Sequence, residues 1–227
     1  MNGTKPAPKG LKFYEASHRY KLDGEWVPGV TSIVGVLNKE AIPKWAAGEV
    51  AEFVADYPSL VDLMNEKGGR NAVVRFLKDL PWDKRDSAAK RGSVLHDYAE
   101  NLLNGERVEV AAEHVPVMES ALAFMEDWQI EPLLVEACVA SRRHKWAGKL
   151  DLIAKYVHPE TRHSGVGIFD WKSGKALYPE YAWQLNAYAH AEFTGLDGDE
   201  KPLPGTFQFP RPRLAMSNVL RMLTNSS

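Results

Sequence analysis

GIFDWKSGK, Gly167–Lys175, decides how this chain is read. Ile168, Phe169 and Trp171 suit a buried strand, yet the run also carries an acid and a base, Asp170 and Lys172. Charged side chains avoid the interior unless they are paired or bind a metal. The run is therefore an edge strand with one wet face, or a strand whose charges do chemistry. Side chains at i and i+2 share a strand face. Asp170 and Lys172 thus point one way with Ile168 and Val166, while Phe169 and Trp171 point towards a core.

Upstream, WAGKLDLIAKYV reads as a partner strand and HPETRHSG as a hairpin loop. Folding about Glu160-Thr161 sets Asp151 across from Asp170 and Ile153 across from Ile168. A one-residue slip would reverse every face. In this register the two carboxylates stand side by side, with Cβ atoms about 4.5–5.5 Å apart. Such a pair repels unless one acid takes a proton or a cation sits between them. A surface ion pair on a solvated face is the competing explanation. PLLVEACVAS reads as a third strand, with Glu136 as another charge inside an apolar run.

Helices surround these strands. LKFYEA and HRYKL read as short strands, followed by a turn at Asp23-Gly24 and EWVPGV. A helical region begins near Ala41 and ends at Tyr57-Pro58. More helix follows, interrupted at Gly68-Gly69, and Asp83–Asn104 reads as a helix capped at Gly105. HVPVMESALAFMEDW puts Val117, Leu122, Phe124, Met125 and Trp128 mostly on one helical stripe. YPEYAWQLNAYAHAEF returns to helix. The tail, GLDGDEKPLPGTFQFPRPR, has no clear period, and SNVLRMLTN suits a short helix. The reading is an α/β fold with a partly antiparallel sheet and additional helices before it. It divides into a hairpin and helical region over 1–82, a core over 83–193 and an irregular tail over 194–227.

Bulk composition excludes several classes. The chain has 227 residues, 44% hydrophobic content and a formal net charge of -2, enough for one sizeable core but no bulk polyanion binder. The single cysteine, Cys138, excludes an internal disulfide and any cysteine-built zinc or iron–sulfur site within one chain. No apolar stretch approaches the length of a membrane span, and MNGTKPAPKG lacks the apolar core of a signal peptide. A cytoplasmic protein with no membrane association is the expectation. Residues 137–175 depart from the average: eight Lys/Arg against three acids give a formal +5. Arg142, Arg143 and Lys145 stand just before the Asp151 strand, where phosphates of DNA can approach.

Two helical patterns complete the set. RGSVLHDYAE places His96 near Arg91, with Glu100 four residues on along the same face. YAWQLNAYAHA places Gln184 and Tyr188 on a shared face directly after the acid–lysine strand. In order, the chain carries His96 in an RGSxxH context, Gly148-Lys-Leu-Asp151, Asp170-Trp-Lys172 and Gln184-x-x-x-Tyr188. This ensemble resembles the PD-(D/E)XK nuclease superfamily, in particular the RecB-like branch with CRISPR-associated and phage-encoded exonucleases. Its motifs cover roughly residues 90–190.

The resemblance implies a restriction-endonuclease-like core: a small mixed sheet flanked by helices. It implies Asp151 and Asp170 as carboxylate ligands of Mg²⁺ or Mn²⁺, with His96 and the backbone carbonyl of Trp171 as further ligands. Oxygen-dominated ligation with one imidazole suits these ions. Lys172 would hold the attacking water and offset developing charge, and Gln184 and Tyr188 would position the DNA strand or the active-site loop. Glu136 is a weaker candidate for a ligand. The implied activity is metal-dependent DNA exonuclease chemistry in recombination, replication or DNA processing. The alternative is a catalytically silent DNA-binding accessory protein on a nuclease scaffold, such as one serving spacer acquisition. The four cysteines of iron–sulfur relatives are missing, so no cluster is expected. Protein partners are not legible.

Overall fold

A computed structural model describes residues 9–36, 41–172, 178–205 and 219–221. The polar lead-in to residue 8, Lys175 of the basic segment and the proline-rich stretch 206–218 lie outside them. The chain divides into two compact units, one of residues up to Val34 together with Leu95 onward, the other Gly35–Val94.

The first unit is mixed α/β with two small sheets. β1 (Leu11–Tyr14), β2 (Arg19–Leu22) and β3 (Glu25–Val27) form an antiparallel three-stranded sheet. The larger sheet runs β7–β4–β5–β6–β8, with β4 Glu131–Ser141, β5 Trp146–Val157, β6 Ser164–Lys172, β7 Phe193–Thr194 and β8 Val219–Arg221. Its neighbours are antiparallel except β6 and β8, which pair in parallel, Asp170 beside Val219. The short helix expected in SNVLRMLTN is therefore not formed over Val219–Arg221. The free edge of β6 offers unpaired backbone groups, and these residues satisfy them as a strand.

The β5–β6 hairpin adopts the register expected from its loop: Ile153 pairs with Ile168, and Leu152 with Phe169. Neither face of β6 is wet. On one side Leu95 and Ala99 of helix α3 and Val117, Met118 and Ala121 of helix α4 pack on Leu152, Ala154, Phe169 and Trp171. Here α3 spans Pro58–Leu103 and α4 Val115–Asp127. On the other side Val30 of α1 (Val30–Gly35) and Leu185 and Tyr188 of α5 (Pro179–Ala189) pack with Val139, Ile153 and Ile168. Helices thus cover both faces of the sheet, and the Asp170 carboxylate is interior.

In α4 the buried stripe is Val117, Met118 and Ala121, with Phe124, Met125 and Trp128 packed against the same core. Leu122 was expected on it but is 41% exposed. Five residues past Val117 is a turn of about 140° around a helix, off the stripe. After α3, Gly105 takes φ 77, and the Glu106 amide donates to the Asn101 carbonyl at 2.8 Å. That six-to-one bond with a left-handed glycine is a Schellman cap.

The second unit is helical: α2 (Ala41–Asp56) and the part of α3 before residue 95. Gly69 breaks α3 with φ 71 and ψ 171, as the glycine pair predicts. The helix continues through Pro81, so the helix expected over Asp83–Asn104 is the last part of α3 and not a separate element.

Candidate functional site

Three acids line up across three adjacent strands. The β4–β5 register pairs Val135 with Leu152 and Ala137 with Leu150, which sets Glu136 level with Asp151. The β5–β6 register, continued one residue past Leu152–Phe169, sets Asp151 level with Asp170. Asp151 is 8% exposed and Asp170 1%. Glu136 adopts φ 48 inside its strand, the left-handed region in which a residue with a side chain is strained. Strain of this kind costs on the order of 1–3 kcal/mol and concentrates at functional sites.

His96 reaches this row from α3. Its Nδ1 lies 3.5 Å from Asp151 Oδ2 and 3.8 Å from Glu136 Oε1. One ligand atom each from His96, Glu136 and Asp151 falls within 4.8 Å of the others. One imidazole nitrogen and two carboxylates suit a divalent ion such as Mg²⁺ or Mn²⁺. The sequence points to Asp170 before Glu136 as a ligand, but the trio that converges contains Glu136.

Two lysines neutralise the row. Lys149 Nζ lies 2.7 Å from Glu136 Oε2, and Lys172 Nζ contacts Asp170 Oδ2 in an ion pair. The Lys172 ammonium also lies 5.2 Å from the centre of the Tyr181 ring. Asp170 Oδ2 is fully buried and accepts no well-aligned hydrogen bond. Lys149 was absent from the sequence-based set of site residues. Its signal was nonetheless the one that flagged Lys172: a lysine two positions from an acid inside an apolar strand.

The charges act on one another. Burial, and then the nearby Asp170 charge, push the Asp151 carboxyl up to about 7. Burial also works against charge on Glu136, but His96 and Lys149 hold its carboxyl below the ordinary range. For His96, burial lowers the pKa while Glu136 and Asp151 raise it, and the net shift is upward. Lys172 follows the same logic, with burial outweighed by Asp170 and Asp151. A buried acid driven to hold a proton beside a second acid is an arrangement whose repulsion a cation would relieve.

A chain of hydrogen bonds supports the row. The Trp171 amide donates to Asp151 Oδ2 at 2.7 Å, so Trp171 meets the site through its N–H. Gln184 Nε2 donates to Asp170 Oδ1 and to the Tyr188 hydroxyl, each at 3.2 Å. Tyr188 in turn donates to the Lys149 carbonyl at 3.0 Å. Gln184 and Tyr188 are buried, so they act on the acid row from behind.

The basic turn stands apart. Arg142, Arg143 and Lys145 lie in the turn after β4, whose last residue, Ser141, is about 17 Å of strand from Glu136 at about 3.4 Å per residue. The Arg142 guanidinium donates to both carboxylate oxygens of Asp23 and of Glu200, and sits 4.4 Å from the Phe193 ring centre. It is a clamp between segments. Arg143 is exposed and bonds Glu192 through its backbone amide, while Lys145 lies 3.5 Å from Glu25. Cys138 is buried, and burial pushes its thiol up to about 11, the surroundings of a structural thiol. Among the described residues no helix is long and apolar enough to cross a membrane.

Compared with family models and with curated proteins, the chain has no match.

Proposed function

We propose that this protein is a divalent-metal-dependent deoxyribonuclease of the PD-(D/E)XK type, acting on DNA ends as an exonuclease. The observation that carries the reading is the row Glu136, Asp151 and Asp170 on three neighbouring strands, with His96 over one end and Lys172 at the other. A mixed sheet covered by helices on both faces is consistent with a restriction-endonuclease-like core.

His96, Glu136 and Asp151 would hold the ion, with Asp170 bordering it. Bound there, Mg²⁺ or Mn²⁺ would supply a hydroxide-like water at neutral pH and neutralise phosphate charge. The chain's own groups do the rest. Lys172 keeps its proton because Asp170 and Asp151 stabilise the ammonium, so it can donate to water or to a phosphate oxygen as negative charge develops. Gln184 fixes the Asp170 carboxylate, and Tyr188 fixes Gln184. Lys149 orients Glu136.

The test is incubation of the full chain with end-labelled single- and double-stranded DNA, and with a covalently closed circle, in Mg²⁺, Mn²⁺ or EDTA. Linear DNA should shorten from its ends with either metal, while the closed circle survives and EDTA stops the reaction. DNA left intact under every metal condition would reject the reading.

A further inference from the structure

The small sheet has two unlike faces. Leu11, Tyr20, Leu22 and Val27 face inward and pack on Cys138, Ala140, Ala147 and Phe193. Alternation sends Lys12, Tyr14, Arg19, Lys21 and Trp26 outward. The pairing makes them neighbours: Tyr14 is opposite Arg19, and Lys12 opposite Lys21, which is itself opposite Trp26. Trp26 is 49% exposed and Tyr14 41%. Their rings lie 5.1 Å apart, with the Arg19 guanidinium 4.0 Å and the Lys21 ammonium 5.2 Å from the Trp26 ring centre.

Fold stability does not account for this face. The core of the sheet lies on its other side, and an exposed cation–π contact contributes only about 0.5–1 kcal/mol. Three cations and two aromatic rings share the surface, and none of its strand residues is acidic. Glu25, next to Trp26, alternates away and meets Lys145 at 3.5 Å. Asp197 touches only the rim, 3.8 Å from Lys12. Among the described residues, Arg19 and Lys21 have no carboxylate partner.

We propose that this face is a second nucleic-acid contact, separate from the acid row, that holds a single strand. One base stacks on Trp26 and a neighbour on Tyr14, while Lys12, Arg19 and Lys21 take the phosphates. Cations set among exposed aromatic rings match a ligand that is both polyanionic and π-faced. A duplex hides its base faces, and an acidic peptide would engage the cations but leave both rings idle. Tyr20 and Leu22, on the inner face, pack with Cys138 and Ala140 of β4, the strand that carries Glu136, so the outer face lies across the small sheet from β4. DNA held here is gripped and not cut. The proposal does not depend on the chain being a nuclease.

The experiment measures binding of a labelled oligo(dT) of about 12 nucleotides to the full chain in EDTA, by anisotropy and by quenching of tryptophan fluorescence. Trp26→Ala should weaken binding about 5- to 100-fold, and Trp26→Phe should retain most of it. Arg19→Gln with Lys21→Gln should reduce the salt slope by about 1–2. Asp170→Ala should lose any cleavage yet keep oligo(dT) binding, which separates this site from the acid row. Trp26→Ala binding within twofold of wild type would overturn the proposal. So would poly-glutamate binding that depends on Trp26, or oligo(dT) binding lost equally in Asp170→Ala.

Discussion

Gly148 lies against the edge of the Tyr188 ring: a Cβ on residue 148 would sit 2.6 Å from Tyr188 Cε1 and 3.3 Å from its hydroxyl oxygen. The absence of a side chain on β5 is thus what lets Tyr188 reach the Lys149 carbonyl and Gln184. This contact between residues 40 apart in sequence joins two motifs, Gly148-Lys-Leu-Asp151 and Gln184-x-x-x-Tyr188. Gly148→Ala is expected to destabilise by about 1–3 kcal/mol through overpacking. Adding Tyr188→Leu should recover part of the loss, because the two changes relieve one clash. Urea melts of the two single variants and the double variant check this, and strict additivity would contradict it.

Arg142 separates a structural cation from a DNA contact. Its guanidinium bridges Asp23 and Glu200 and covers Phe193. Arg142→Ala should therefore cost about 1 kcal/mol of stability and leave the salt slope of DNA binding unchanged. Comparing melting temperature and salt-dependent anisotropy in Arg142→Ala with wild type decides it. A slope smaller by about 0.7–0.9, the value of one lost phosphate contact, would return Arg142 to the DNA interface.

The strands and their register were legible because period-two alternation and a short hairpin loop leave few alternatives. Trp146–Val157 is the strand its sequence suggests, and Ile153 meets Ile168. The acids were legible for a physical reason: an unpaired charge inside an apolar strand needs an explanation. What escaped was set by contacts distant in sequence. Glu136 joins the converging trio with φ 48, a backbone conformation that no residue pattern advertises. Arg142 looks like any exposed arginine until Asp23 and Glu200 arrive from 119 and 58 residues away. β8 is hidden because three residues carry too little pattern to compete with a helical reading.

The raised Asp151 pKa makes a pH prediction whose sign is fixed. The folded protein binds the proton more tightly than the unfolded chain, where aspartate titrates near 3.9. Its stabilising contribution is therefore complete below about pH 4 and is lost as pH rises through about 7. In EDTA the melting temperature should fall between pH 5 and pH 8. Asp151→Asn should flatten that fall and be more stable than wild type at pH 8, because it removes the buried charge beside Asp170. Mn²⁺ should raise the wild-type melting temperature at pH 8 and barely move that of Asp151→Asn. Calorimetric melts across this range test all three outcomes, and a pH-independent wild type in EDTA would refute the charge pairing.

Lys172 and Asp170 share one strand face and one ion pair but not one role. A protonated lysine has no lone pair to give a metal, so removing it leaves the His96, Glu136 and Asp151 ligand atoms untouched. It does strand a carboxylate that is 1% exposed, which costs stability on the scale of a broken buried pair, about 3–5 kcal/mol. Lys172→Met keeps the volume of the stem and is the better variant for comparing function. It should bind Mn²⁺ with affinity near that of wild type, yet lose on the order of 10²-fold or more in DNA hydrolysis, the scale of one transition-state charge stabiliser. Asp170→Ala removes a carboxylate beside the His96, Glu136 and Asp151 trio and should weaken Mn²⁺ binding as well as turnover. Calorimetric titration with Mn²⁺ and end-label release on both variants, each confirmed as folded, separate the two roles. Near wild-type hydrolysis by Lys172→Met would leave the ammonium as a counter-charge for Asp170 and nothing more.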